Sequence, residues 1–210
     1  MLVAVFNGWA AGAETWELCS FRRDWLFSYI EELDGLPSQV LSETQDGAVL
    51  VGFSMGGAMA LKAVMEFPGK IKGLVLISAT PRMMELKEEN WRGMSERRLN
   101  ALYAGTRLVF VNDPSLLYAE ENLNRGLDFL RETDLRADLK GKTDMDFPVE
   151  IIQSERDGIV RVSNAWFLKE IFPAANVTIL PGSEHVVPVL APEAVDAAVA
   201  RVLAAVDSKK

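Results

Sequence analysis

Five short runs rich in valine, isoleucine and leucine punctuate the chain at residues 2–6, 48–52, 74–77, 149–153 and 177–180. Short runs of this composition predict buried strands, as in a parallel sheet. Between them the apolar spacing changes to the helical period over residues 14–33, 55–67, 162–172 and 192–206. A weaker strand pattern at residues 39–41 brings the expected strands to about six. Strand alternating with helix predicts an α/β fold with a mostly parallel sheet and right-handed crossovers.

The alternation fails between residues 81 and 147. Charge is dense there, and Trp91, Leu99 and Leu102, then Leu123, Leu127 and Leu130, suggest short helices without a strand. The expected organisation is therefore a sheet core over residues 1–80 and 148–210 with a helical insertion over residues 81–147. Leaving after one strand and returning at the next, the insertion would cap the carboxyl ends of the strands, where open α/β sheets place ligands.

Composition narrows the functional classes. Of 210 residues, 49% are hydrophobic and 25% charged, which is ordinary for a folded domain and argues against disorder. Lys+Arg 22 against Asp+Glu 30 gives a net charge of −8, which argues against nucleic acid as a partner. One cysteine, Cys19, excludes an internal disulfide. One histidine, His185, excludes a multi-histidine metal site, so neither metal nor cofactor is expected. The opening apolar run lacks a basic flank and breaks at Asn7-Gly8, unlike a signal peptide, and no run approaches the length of a membrane span. The expectation is a cytoplasmic monomer without a membrane partner.

The chemistry concentrates in three places. Gly52-Phe53-Ser54-Met55-Gly56-Gly57 follows an apolar run and opens a helical pattern, the context of a nucleophile elbow, although a tight glycine turn reads the same way. Serine is a weak nucleophile and needs an imidazole held by a carboxylate. The one imidazole, His185, lies between the last strand run and the last helical pattern. Asp157 follows the preceding strand run, where Asp-Gly also suits a plain turn. The order Ser54, Asp157, His185 matches that of α/β-hydrolases and differs from both common serine-protease orders. A tetrahedral intermediate needs two N–H donors. Met55, after the serine, supplies one, and Trp9, in the Asn7-Gly8-Trp9-Ala10 loop after the first strand, supplies the other.

Over nearly its full length the chain resembles the α/β-hydrolase superfamily. Within it the chain is most similar to the pimeloyl-acyl-carrier-protein methyl ester carboxylesterases of biotin synthesis. The likeness rests on Asn7-Gly8-Trp9, with asparagine for that family's histidine, on residues 52–57, and on Asp157-Gly158. Its most family-specific part is Leu123-Asn124-Arg125-Gly126-Leu127-Asp128 through Thr133-Asp134-Leu135-Arg136. The first strand here aligns with the family's third, and the cap is several residues shorter.

The resemblance implies Ser54 as nucleophile, Asp157 as orienter, His185 as base, and Trp9 and Met55 as oxyanion donors. Trp9, Leu99, Leu102 and Tyr103 would line the acyl pocket. The implied substrate is a short to medium acyl ester, specifically a pimeloyl ester on an acyl carrier protein. Such carriers are acidic, and between residues 91 and 110 Arg92, Arg97, Arg98 and Arg107 face Glu96 alone, a basic stretch that suits docking or simply a solvated helix face. The alternatives are a general esterase or thioesterase, a menaquinone-pathway-like hydrolase, and a ligand-binding protein on a hydrolase fold.

Overall fold

The computed structural model describes residues 1–82, 119–141 and 145–209. Six strands, β1 (Leu2–Phe6), β2 (Trp25–Phe27), β3 (Ala48–Phe53), β4 (Ile71–Ile77), β5 (Val149–Ser154) and β6 (Asn176–Leu180), form one sheet in the order β2-β1-β3-β4-β5-β6. Every neighbouring pair is parallel. The helices are α1 (Tyr29–Leu33), α2 (Leu36–Glu43), α3 (Met55–Glu66), α4 (Glu120–Glu132), α5 (Arg136–Lys140), α6 (Ser163–Ile171), α7 (Val187–Leu190) and α8 (Pro192–Asp207), with a 3₁₀ turn at Ala13–Trp16.

The period-2 geometry of the strands divides their apolar residues between two cores. Ala4, Phe6, Leu50, Leu74, Leu76 and Ile151 point to one face, where they meet α3 and buried residues of α4, α5 and α6. Val3, Val5, Val49, Val51, Val75 and Ile77 point to the other, against Val195, Ala198, Val199, Val202 and Val206 of α8. That spacing places the five α8 residues on one helical stripe. Buried Glu150 also faces α8, where Arg201 binds it through two hydrogen bonds of 2.7 and 3.0 Å.

Two expectations are corrected. The segment 14–33 is not one helix: it holds the 3₁₀ turn, edge strand β2 and short α1. Long-range pairing overrides its helical period, because the Asp24 carboxylate accepts the Val3 N–H at 2.8 Å while the Asp24 N–H donates to the Val3 carbonyl at 2.9 Å. This aligns Trp25–Phe27 beside Ala4–Phe6. Ser28 then starts α1 through a reciprocal capping box with Glu31. The strand expected at 39–41 is part of helix α2. Gly35, at φ +84°, turns the chain, and Pro37 sits in the first helical turn, where a missing N–H costs nothing. The sixth strand is β2.

The strand order reverses between β1 and β3, since the chain runs outward from β1 to β2 and crosses back to β3 on the other side. A crevice opens outside the carboxyl ends of strands at such a switch. Asn7 to Ala10 leave β1 there, and Ser54 leaves β3 beside them.

Candidate active site

Ser54 caps the amino end of α3 with φ +54° and ψ −117°, a backbone region that non-glycine residues rarely enter. The turn is held by the Ser54 N–H on the Ile77 carbonyl at 2.9 Å and the Gly57 N–H on the Ser54 carbonyl at 3.0 Å. It fits because α3 starts almost in contact with β1: a Cβ on Gly56 would stand 2.3 Å from the Phe6 carbonyl oxygen.

The structure brings Ser54, His185 and Asp157 together. His185 Nε2 lies 2.9 Å from Ser54 Oγ, and His185 Nδ1 lies 2.8 Å from Asp157 Oδ2. Asp157 is buried, and its Oδ1 accepts the N–H groups of Ile159 and Val160, each at 2.8 Å. Burial pushes its carboxyl up, but the His185 imidazole and those two amides together outweigh burial and hold it below the usual carboxylate range. An ionised Asp157 only accepts, so His185 Nδ1 carries the proton and Nε2 presents its lone pair to the serine hydroxyl. The arrangement can therefore take a proton from Ser54.

The loops bearing acid and base are tied to each other. The Arg156 N–H donates to the Ser183 carbonyl at 3.2 Å and the Glu155 N–H to the Leu180 carbonyl at 3.0 Å. The Phe53 ring packs 5.3 Å from the imidazole.

Trp9 follows Gly8, which runs close to the serine, and Met55 follows the serine itself. Met55 is the first residue of α3, so its amide belongs to the unpaired amino end of the helix, which favours negative charge. The Ala11 N–H closes the Gly8–Ala11 turn on the Gly8 carbonyl at 3.1 Å, with Ala10 at φ +55°. A Cβ on Gly8 would meet Ser54 Cβ at 3.3 Å, which measures how near this turn runs to the serine. Among the described residues, neither the Trp9 nor the Met55 amide has a backbone acceptor.

Motif reasoning missed several partners. Gln153 Nε2 donates to Asp157 Oδ2 at 3.0 Å and to the Val160 carbonyl at 2.9 Å, bracing the acid loop. Asn7, beneath the turn, donates through Nδ2 to the Phe27 carbonyl at 3.0 Å and accepts from Trp16 Nε1 at 2.6 Å. Its N–H meets Glu32 Oε1 at 2.8 Å. Burial pushes the Glu32 carboxyl well up, opposed by that one amide. Hydrogen-bond accounting finds Gln153 and Glu32, which no spacing announces, and gives Asn7 of the Asn7-Gly8-Trp9 motif its partners. Leu99, Leu102 and Tyr103, expected at the acyl pocket, and Arg92, Arg97, Arg98 and Arg107, expected at a carrier, lie outside the described residues. Among the described residues, no cluster of side chains could hold a metal ion and no helix is long and apolar enough to cross a membrane.

Residues 39–133 match the family model described as alpha/beta hydrolase fold. A pimeloyl-[acyl-carrier protein] methyl ester esterase of Yersinia enterocolitica is 29% identical over 74% of this chain and 69% of its own. One of Shewanella woodyi is 30% identical over 33% of this chain, a match spanning only 27% of the relative. A lipase-esterase related protein of Clostridium acetobutylicum superposes with a TM-score of 0.71 at 14% identity, covering 96% of this chain and 93% of that one. The chain therefore has the α/β-hydrolase fold, and over most of its length it is similar to the pimeloyl-[acyl-carrier protein] methyl ester esterases.

Proposed function

We propose that the chain is a serine carboxylesterase acting on a short to medium acyl ester through an acyl-enzyme, and that its specific substrate is a pimeloyl methyl ester carried on an acyl carrier protein. The observation that carries this reading is the continuous path from Ser54 Oγ through His185 to buried Asp157, at 2.9 and 2.8 Å, beside two amides that have no backbone acceptor among the described residues.

In this reading Ser54 Oγ attacks the ester carbonyl carbon as its proton passes to His185 Nε2, and Asp157 stabilises the imidazolium. The carbonyl oxygen becomes an oxyanion held by the Trp9 and Met55 amides. Collapse breaks the bond to the alkoxy oxygen, which leaves as the alcohol with the proton from His185. Water then gives its proton to the same nitrogen and attacks the acyl-enzyme. The acid is released and Ser54 regains its hydrogen, so ester and water become acid and alcohol.

The substrate rests on the likeness to the Yersinia and Shewanella esterases and on one feature of charge. A chain of net charge −8 repels an acidic carrier, so docking needs a locally basic face. Arg92, Arg97, Arg98 and Arg107 supply it within residues 81–147, which act as a cap whose Leu99, Leu102 and Tyr103 meet the acyl chain.

The test is Ser54→Ala, assayed on p-nitrophenyl esters of graded chain length and on a carrier-bound pimeloyl methyl ester. The expected loss in kcat is about 10³ or more with the fold retained. More than a tenth of the activity remaining would sink the nucleophile assignment. Wild-type chain that resists a serine-directed fluorophosphonate would favour a binding protein on a hydrolase fold. Complementation of a biotin auxotroph lacking the methyl esterase tests the substrate.

A further inference from the structure

The Trp9 side chain does something that its role as an amide donor does not require. Its indole N–H reaches 114 residues along the chain and donates to the Leu123 carbonyl, on the first turn of α4, at 3.0 Å. The ring lies against the helix backbone at Gly126. A Cβ there would stand 2.5 Å from Trp9 Cδ1, 3.0 Å from Trp9 Nε1 and 3.3 Å from Tyr29 Cδ2, so no larger residue fits while the indole is seated. Glycine inside a helix costs roughly 1 kcal/mol relative to alanine, and the seat for Trp9 is what this position gains.

The helix offering this seat is itself fixed. Leu123 and Leu130 are buried, and Arg125 pairs with Asp34, just past α1, at 2.5 Å. The other side of the turn is fixed as well, since Asn7 is bound to Trp16, Phe27 and Glu32. The chain from Asn7 to Trp9 is thus clamped at both ends, and the peptide carrying the Trp9 amide lies between the clamps. With the indole released, that amide would be set only by the Asn7 side and by the Ala11 N–H on the Gly8 carbonyl of the same peptide, a local turn that does not tie it to α4, and a donor must meet the developing oxyanion at close to hydrogen-bonding distance to act.

We propose that Gly126 and the Leu123 carbonyl are positioning residues for the reaction: by seating the Trp9 indole on α4 they aim the Trp9 amide at the oxyanion. The inference rests on the esterase reading and adds to it that α4, far from the serine in sequence, sets the efficiency of the chemical step.

A double-mutant cycle tests it. Trp9→Phe keeps the backbone amide and an aromatic ring but deletes the indole donor. Gly126→Ala fills the seat. Each is expected to lower kcat on p-nitrophenyl butyrate by roughly tenfold to thirtyfold with KM within about twofold. Binding of a trifluoromethyl ketone, which forms a tetrahedral oxyanion on the serine, should weaken in proportion. Because the smaller phenyl ring needs less of the seat, the double variant should be no slower than the slower single one. A purely structural role would instead lower the melting temperature and leave kcat and ketone affinity alone, and that result overturns the proposal. So does full additivity. Should Gly126→Ala fail to fold, Trp9→Phe decides by the same kcat and ketone readouts. If wild-type chain neither hydrolyses esters nor labels with fluorophosphonate, the esterase reading falls and this inference with it; active wild type with unaffected variants removes the inference alone.

Discussion

Replacing Asp157 by asparagine changes one atom of the buried acid and should stop turnover without unfolding the chain. Asp157 Oδ2 serves His185 Nδ1 at 2.8 Å and Gln153 Nε2 at 3.0 Å, while Oδ1 serves the amides of Ile159 and Val160. Asparagine offers one oxygen and one NH₂, so it can serve only one of these pairs. If the NH₂ faced the two amides, buried N–H donors would be left without acceptors, at about 1–3 kcal/mol each. The oxygen therefore stays with the amides and the NH₂ turns to His185 and Gln153. Gln153 cannot resolve the clash by flipping, because its Nε2 also donates to the Val160 carbonyl at 2.9 Å. His185 can, by accepting at Nδ1, and its proton then sits on Nε2 facing Ser54 Oγ. A nitrogen that donates there cannot act as the base. The expected loss is about 10⁴ in kcat, or roughly 5.5 kcal/mol of transition-state stabilisation. The unrelieved contact with Gln153 should cost about 1–3 kcal/mol of stability. Initial rates on p-nitrophenyl butyrate and a thermal melt measure the two effects separately. An asparagine variant with more than a tenth of wild-type kcat would refute the tautomer argument.

Three further expectations follow. Burial pushes Glu32 well up, so above about pH 4.3, where the unfolded chain releases this proton, and up to the raised folded pKa, folding takes a proton up and wild-type stability falls as pH rises. Glu32→Gln removes the titration, and its stability relative to wild type in urea melts should increase from pH 5 to pH 8; a constant difference would contradict this. Cys19 is buried and its thiol is pushed up to about 12, chiefly by burial and then by Asp196, so Ellman's reagent at pH 8 should find no thiol in the native chain and one after denaturation. Arg97→Glu combined with Arg98→Glu should lower kcat/KM for a carrier-bound ester by roughly tenfold at low salt, about 1.4 kcal/mol, and leave a small free methyl ester unaffected. Equal rates on both substrates would remove carrier docking.

What the sequence made legible is what backbone geometry forces on residue type at fixed spacing. Gly56 must lack a side chain because Phe6 stands against it, and this requirement fixes a glycine two places after Ser54. Asp157 and His185 follow strands rich in valine, isoleucine and leucine, so their places at the carboxyl ends of the sheet are legible from the sequence. The run from 14 to 33 was misread for the opposite reason. What makes Trp25–Phe27 a strand is Asp24 meeting Val3 some twenty residues away, and no local period records that. The same distinction divides the site itself. Gln153 looks like the polar end of a strand, and Glu32 like one more carboxylate on a solvated helix. Each matters through a buried polar group that it meets in space: Glu32 shares the Asn7 N–H with the Phe27 carbonyl at the switch between β1 and β3, and Gln153 shares Asp157 Oδ2 with His185 in the acid loop. Many residue types can meet such a need from many places in the chain, so it imposes no spacing. Residues proposed to perform the chemistry are therefore found from motifs, whereas those that brace them emerge only when every buried polar atom around the motif has been given its partner.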